Sequence, residues 1–229
     1  MAARDALQAQ LEQGIAALGL QLPADAVPRL LDYLALLERW NGAYNLTAVR
    51  EPTEMVTRHL LDSLAILPFV QGHSLADLGT GPGLPGIVLA IAAPGRQILL
   101  VDSNGKKVRF LREAIRSLKL EGVRAEQARV EDVAGQFDCI TARAFASLAD
   151  MLAWGGHLLA PQGTWLAMKG KLPDDELAGI PDGFSMCPAC PLNATCWCSA
   201  AGRAGSARRS LSEIARAAGS ARPTPPRLL

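Results

Sequence analysis

Leu7, Leu11, Ile15 and Leu18 recur every three or four positions, and Val27, Leu30, Leu31, Leu34 and Leu37 do the same ahead of Trp40. That spacing gathers apolar side chains on one face of a 3.6-residue helix, so two amphipathic helices are predicted. A third is expected after Pro52-Thr53, where Val56, Leu60, Leu64 and Leu67 share a face that ends before Pro68. From Ser74 the pattern turns to short β-type runs at 74–78, 97–101, 123–128, 137–141 and 164–168, with helical segments between most of them. Such alternation, with crossovers of this length, implies an α/β domain: a doubly wound, mostly parallel sheet covered by helices on both faces. The expected organisation is an N-terminal helical extension over 1–70, a core domain over 71–184 and a tail over 185–229.

Composition narrows the class without naming a function. A chain of 229 residues, 49% hydrophobic and 20% charged, suits one water-soluble core with an extension. The longest apolar stretch, Gly86 to Pro94, is too short to span a bilayer, and the N-terminus lacks a signal-peptide pattern, so a cytoplasmic protein is expected. Lys and Arg total 23 against 22 Asp and Glu, so a nucleic-acid footprint would have to be a local patch. One local ridge exists: Arg109, Arg112, Arg116 and Lys119 follow helical spacing opposite a stripe of Val108, Leu111, Ile115 and Leu118. A solvated face is the favoured reading of that ridge, with phosphate contact as the second.

The densest chemistry lies in Asp77-Leu-Gly-Thr-Gly-Pro-Gly-Leu-Pro-Gly86, between the first predicted strand and a helix. Glycines at 79, 81 and 83 permit positive φ and let a backbone approach a ligand closely, as a Rossmann-like turn over a cofactor requires. Because Gly81, Gly83 and Gly86 also satisfy G-x-G-x-x-G, the loop alone leaves a nicotinamide enzyme and a methyltransferase both open. Asp102 ends the second strand where a carboxylate can accept from both ribose hydroxyls of either cofactor; its competing reading is a helix N-terminal acid. Two details favour S-adenosyl-L-methionine. Asp77, ahead of Gly79, suits a cationic amino-acid moiety better than a pyrophosphate, and Glu131-Asp132 follows the third strand at the ligand-binding edge of the sheet. The second pair reads equally well as a solvated or capping pair.

Taken together, Trp40-Asn41, Asn45-Leu46-Thr47, Arg58-His59-Leu60-Leu61-Asp62-Ser63-Leu64, the glycine loop, Asp102-Ser103, Lys106-Lys107, Arg129-Val130-Glu131 and Arg143-Ala144-Phe145-Ala146-Ser147-Leu148 form an ordered set. That set resembles the bacterial small-subunit (16S) ribosomal RNA guanine-N7 methyltransferase G family, also called glucose-inhibited division protein B, from about residue 5 to Phe184. The resemblance implies a class I methyltransferase fold and cofactor contact by Gly79, Leu84, Val130, Glu131 and Arg143. It also implies that Lys169 and Lys171, at the end of the fifth strand, face the same edge and meet RNA phosphate. The implied substrate is one guanine of 16S ribosomal RNA in the small subunit. Guanine N7 carries a lone pair and no proton, so attack on a sulfonium methyl needs alignment and electrostatic support but no general base. No catalytic dyad is therefore expected, and Arg143 is the candidate orienting group, with a structural salt bridge as its alternative role. A monomer is expected.

His59, His73 and His157 show no metal-ligand spacing, Cys139 reads as a small core residue, and His59 is expected to pack or bond locally with Asp62. After Phe184 the chain changes character. Cys187, Cys190, Cys196 and Cys198 invite a zinc reading, but Cys196 and Cys198 are one residue apart, unlike C-x2-C pairs, and no metal is expected. Back-translated with GC-rich codons and read from the third base, Met186 to Ser199 gives Val-Pro-Gly-Leu-Pro-Ala-Glu-Arg-His-Leu-Leu-Val-Leu, which resembles the family's last strand pair. A frameshift just before Met186 is inferred, with a poorly ordered tail and a short helix near 210–218 as its consequences. Two alternatives follow: an NAD-dependent oxidoreductase on the same fold, or a cofactor- or ribosome-binding protein left inactive by its altered tail.

Overall fold

The computed structural model describes residues 2–144, 146–169, 184–186 and 195–200. The predicted N-terminal helices are α1 (Ala2–Ala17) and α2 (Ala26–Tyr44), and their stripes are buried: Leu11, Leu30, Leu31, Leu34 and Leu37 are all within 3% of full burial. Asn45 ends α2 in the left-handed region, its N–H returning to Asn41 O. The third helix departs from expectation. It is broken into α3 (Pro52–Met55), one π-helical stretch (Val56–Leu61) and α4 (Asp62–Leu64). The expected stripe still holds, since Val56, Leu60 and Leu64 are buried.

The core domain follows as β1 (Ser74–Leu78), α5 (Gly86–Ala92), β2 (Gln97–Asp102), α6 (Gly105–Ser117), β3 (Val123–Gln127), β4 (Phe137–Arg143), α7 (Leu148–Gly155) and β5 (Leu159–Lys169). Strands β1 to β5 run parallel in the order β3-β2-β1-β4-β5, so all five predicted strands form, with β5 starting earlier than its sequence pattern suggests. Across the boundary expected at 184/185 lie β6 (Phe184–Met186) and β7 (Thr195–Ala200), with β7 antiparallel to both β5 and β6. The helix expected near 210–218 lies outside the described residues.

Consecutive residues of the sheet feed opposite faces. Leu75, Ile98, Leu100 and Leu166 pack with α1, α2, α5 and α6, while Ala76, Leu78, Leu99, Val101 and Trp165 pack with Leu148 and Met151 of α7. Each such buried aliphatic side chain contributes roughly 1.5–3 kcal/mol. With both faces covered, β1 and β2 read as near-continuous apolar runs. Strand order reverses at β1, which has β2 on one side and β4 on the other. A crevice therefore opens above the carboxyl ends of the strands at that point, where open α/β sheets bind ligands.

Candidate active site

Asp77 stands one residue from the end of β1 and is completely buried. Its Oδ2 accepts from Thr80 Oγ1 and from Gly86 N (2.7 Å), and its Oδ1 accepts from Thr141 Oγ1 (3.1 Å). Burial raises its pKa to about 6 against these three donors and Arg143, which lower it. The expectation that Asp77 meets a cationic ligand is thus corrected: its oxygens are turned inward and shape the loop. Gly79, Gly81 and Gly83 all take positive φ, at 65°, 60° and 98°. Gly86 is needed for closeness, since a Cβ there would sit 2.3 Å from Leu100 Cδ2 and 2.7 Å from Asp77 Oδ2. From α2, Tyr33 reaches under the loop and its buried hydroxyl donates to Pro82 O (2.9 Å). Sequence reading passed over Tyr33; the signal was a phenol on an otherwise aliphatic stripe, which needs an acceptor when buried.

Above the loop lies a cavity of about 350 Å³ lined by Gly79, Asp102, Ser103, Lys107, Ala128, Arg129, Val130, Glu131, Ala144 and Trp154, with Val101 at its base. It gathers four of the predicted cofactor residues: Gly79, Asp102, Val130 and Glu131. Asp102 Oδ2 accepts from Gly81 N (3.0 Å) and lies 3.4 Å from Lys107 Nζ, while Oδ1 accepts from Asn104 N (2.8 Å). A carboxylate has about four acceptor positions, so capacity remains on the cavity side. The helix-capping role belongs to Asn104, whose Oδ1 accepts from Lys106 N. Leu84 is not on the wall; its side chain is 2% exposed and belongs to the core. Trp154 and Ala144 were missed, because a tryptophan on an amphipathic helix reads as core.

Arg143 also stands outside the cavity wall. Its Nη1 donates to Arg58 O (3.0 Å) and Asp62 Oδ2 (3.3 Å), so the alternative expected for it, a salt bridge, is present. The widened turn in the third helix makes this possible: the Asp62 amide donates to Thr57 O and His59 O, and the Arg58 carbonyl accepts from Arg143. Beside it, His59 packs in the interior, the first of the two roles expected for it, and bonds Thr47 Oγ1 through Nε2 (2.9 Å), while its Nδ1 has no partner among the described residues. Burial, then the Arg143 charge, lowers its pKa to about 4. Lys169 ends β5, paired with Thr195 of β7 at the same sheet edge; Lys171 and Phe145 lie outside the described residues. Among the described residues no group of His, Cys, Asp and Glu is arranged to hold a metal, and no helix is long and apolar enough to cross a membrane.

A doubly wound sheet, a strand-to-helix glycine turn and a carboxylate at the end of β2 make a Rossmann-like site at the carboxyl edge of the sheet, and solved structures share the fold. The chain superposes on a methyltransferase from Geobacter sulfurreducens with a TM-score of 0.57 (16% identity, 82% of this chain and 97% of that one). It also superposes on the ribosomal protein L11 methylase of Lactobacillus delbrueckii subsp. bulgaricus at 0.51 (20% identity, 63% and 79%). The fold is that of the S-adenosylmethionine-dependent class I methyltransferases. Residues 26–202 match the family model for rRNA small subunit methyltransferase G, and the chain belongs to that family. It is 59% identical over 187 residues to ribosomal RNA small subunit methyltransferase G of Stenotrophomonas maltophilia (strain K279a), covering 81% of this chain and 87% of that one. Against the protein of the same name in Xanthomonas euvesicatoria pv. vesicatoria (strain 85-10), identity is 55% over 188 residues, with 81% and 88% covered.

Proposed function

We propose that this chain transfers the methyl group of S-adenosyl-L-methionine to N7 of a guanine in 16S ribosomal RNA of the small subunit, in the cytoplasm. The observation that carries the reading is the cavity over the glycine loop, in which Gly79, Asp102, Val130 and Glu131 converge. The wall fits the donor: a side-chain-free turn at Gly79, a carboxylate with free acceptor capacity at Asp102, and an indole face at Trp154 beside the buried Val130. When bound, the cofactor supplies an electrophilic sulfonium methyl. Asp102 would accept from the ribose, the exposed Glu131 would offer a second carboxylate from the turn after β3, and Val130 and Trp154 would supply the apolar part of the wall. The role of Leu84 reduces to its main chain, because its side chain is spent on the core.

Guanine N7 has no proton to lose, and the positive charge of the sulfonium passes to the base as sulfur becomes a neutral thioether, so the protein's task is to hold the base in line. Arg143 is suited to this. Its Nη1 is anchored by Arg58 O and Asp62, and its remaining N–H groups have no partner among the described residues, leaving a planar donor edge for guanine O6. Lys169, at the carboxyl end of β5, is then the candidate contact for the RNA backbone on this edge. The test is incubation of the chain with methyl-labelled donor and small subunits from a strain lacking the modification, followed by nucleoside analysis. Label in 7-methylguanosine of 16S rRNA is expected; label in another nucleoside, or in protein, would overturn the reading.

A further inference from the structure

The basic ridge on α6 is divided by the structure. Arg116 is held by Glu113 through both carboxylate oxygens (2.8 and 3.0 Å), and Lys119 lies at another depression beside Arg29 and Glu121. Arg109 and Arg112 instead face a separate cleft of about 580 Å³, whose other walls are Lys106, Gly105, Tyr44 and Gln127. Among the described residues, the side chains of Lys106, Arg109 and Arg112 form no hydrogen bond and no ion pair. Three cations on one concave wall repel each other and focus a positive potential outward, an arrangement that favours a polyanion.

The cleft is rigidly built. Trp40 stacks on Tyr44 (5.1 Å between ring centroids) and meets Phe110 of α6 edge-on (5.7 Å), which locks the end of α2 against α6. It also adjoins the cofactor cavity. Lys106 and Gln127 line the cleft while their chain neighbours Lys107 and Ala128 line the cavity, so the same two chain segments border both.

We propose that this cleft seats the phosphodiester backbone of the substrate rRNA, with Arg109 and Arg112 as the phosphate contacts. The proposal rests on the rRNA methyltransferase reading and adds to it a docking surface away from the reacting base. An acidic ribosomal protein is the competing occupant; a phosphate backbone is favoured because every charged group on the wall is a cation, beside an aromatic ring of the kind that borders nucleic-acid sites.

The experiment measures equilibrium binding of the full chain to unmethylated small subunits, and to protein-free 16S rRNA, across a salt series. Releasing two phosphate contacts should lower the slope of log affinity against log salt by roughly 1.4–2 in Arg109→Ala/Arg112→Ala. Arg109→Lys/Arg112→Lys should keep most of the slope, and Arg116→Ala/Lys119→Ala should leave it unchanged. Affinity for S-adenosylmethionine should stay within twofold throughout, which also reports that each variant is folded. An unchanged slope in the double alanine variant, an equal loss in the Arg116/Lys119 control, or an effect seen with subunits but not with bare rRNA would overturn the proposal. Failure of the unaltered chain to bind either RNA-containing probe would instead strike at the rRNA reading itself.

Discussion

Three donors and complete burial surround the Asp77 carboxylate, and burial dominates, so its pKa rises to about 6. A folded-state value above the unfolded one favours the folded chain below about 3.8, a contribution lost as pH rises through about 6. His59 has the opposite sign. Its value falls from 6.5 to about 4, so the neutral ring stabilises the fold above 6.5 and that stability is lost as pH falls toward 4, about 3 kcal/mol in all. His59→Gln is therefore expected to flatten the acid-side loss of Tm between pH 6.5 and 4; parallel wild-type and variant curves would contradict this. Asp77→Ala would leave the Gly86 amide and two buried hydroxyls without their acceptor, for a loss of roughly 2–4 kcal/mol in chemical denaturation. Donor affinity should weaken with it, because the same carboxylate shapes the loop. The presence of an acid at 77 was legible in the sequence, but the direction it faces was not: that depends on Thr141 of β4, 64 positions away.

At the scale of elements, the parallel strands were readable because each combines a short apolar run with flanking turn residues. The single widened turn at Val56–Leu61 was not, since one extra residue barely disturbs a 3.6-residue stripe and Val56, Leu60 and Leu64 stay buried either way. Yet that turn ties the helical extension to the catalytic edge, by offering Arg58 O and Asp62 to Arg143. Asp62→Ala is expected to lower kcat/KM for methyl transfer by about tenfold or more, in keeping with a lost charged hydrogen bond, while the Kd for S-adenosylmethionine moves less than threefold. Equal losses in both quantities would make Arg143 a donor ligand instead of a group that orients the base. Burial holds the Asp62 pKa above the ordinary carboxylate value, against the charge and the hydrogen bond of Arg143, which both lower it.

For the whole molecule, the sheet continues past β5 through β7, an interior strand flanked by β5 and β6. Its Thr195–Ala200 sequence, TCWCSA, has no aliphatic residue before Ala200, whereas the one-base shift, with GC-rich codons, reads Leu-Leu-Val-Leu at positions 195–198. Interior strands favour such residues. Restoring the frame from 186 is expected to raise Tm by roughly 5 °C or more in calorimetry, at about 2–4 °C per kcal/mol for a chain of this size. An unchanged or lower Tm would count against a frameshift. The account as a whole stands on the cavity above the glycine loop, and titration calorimetry addresses it directly. S-adenosylmethionine should bind the full chain at one site, with affinity reduced about tenfold or more in Asp102→Ala, and NAD should give no saturable heat. No binding of S-adenosylmethionine, or equal affinity in the wild type and Asp102→Ala, would contradict it.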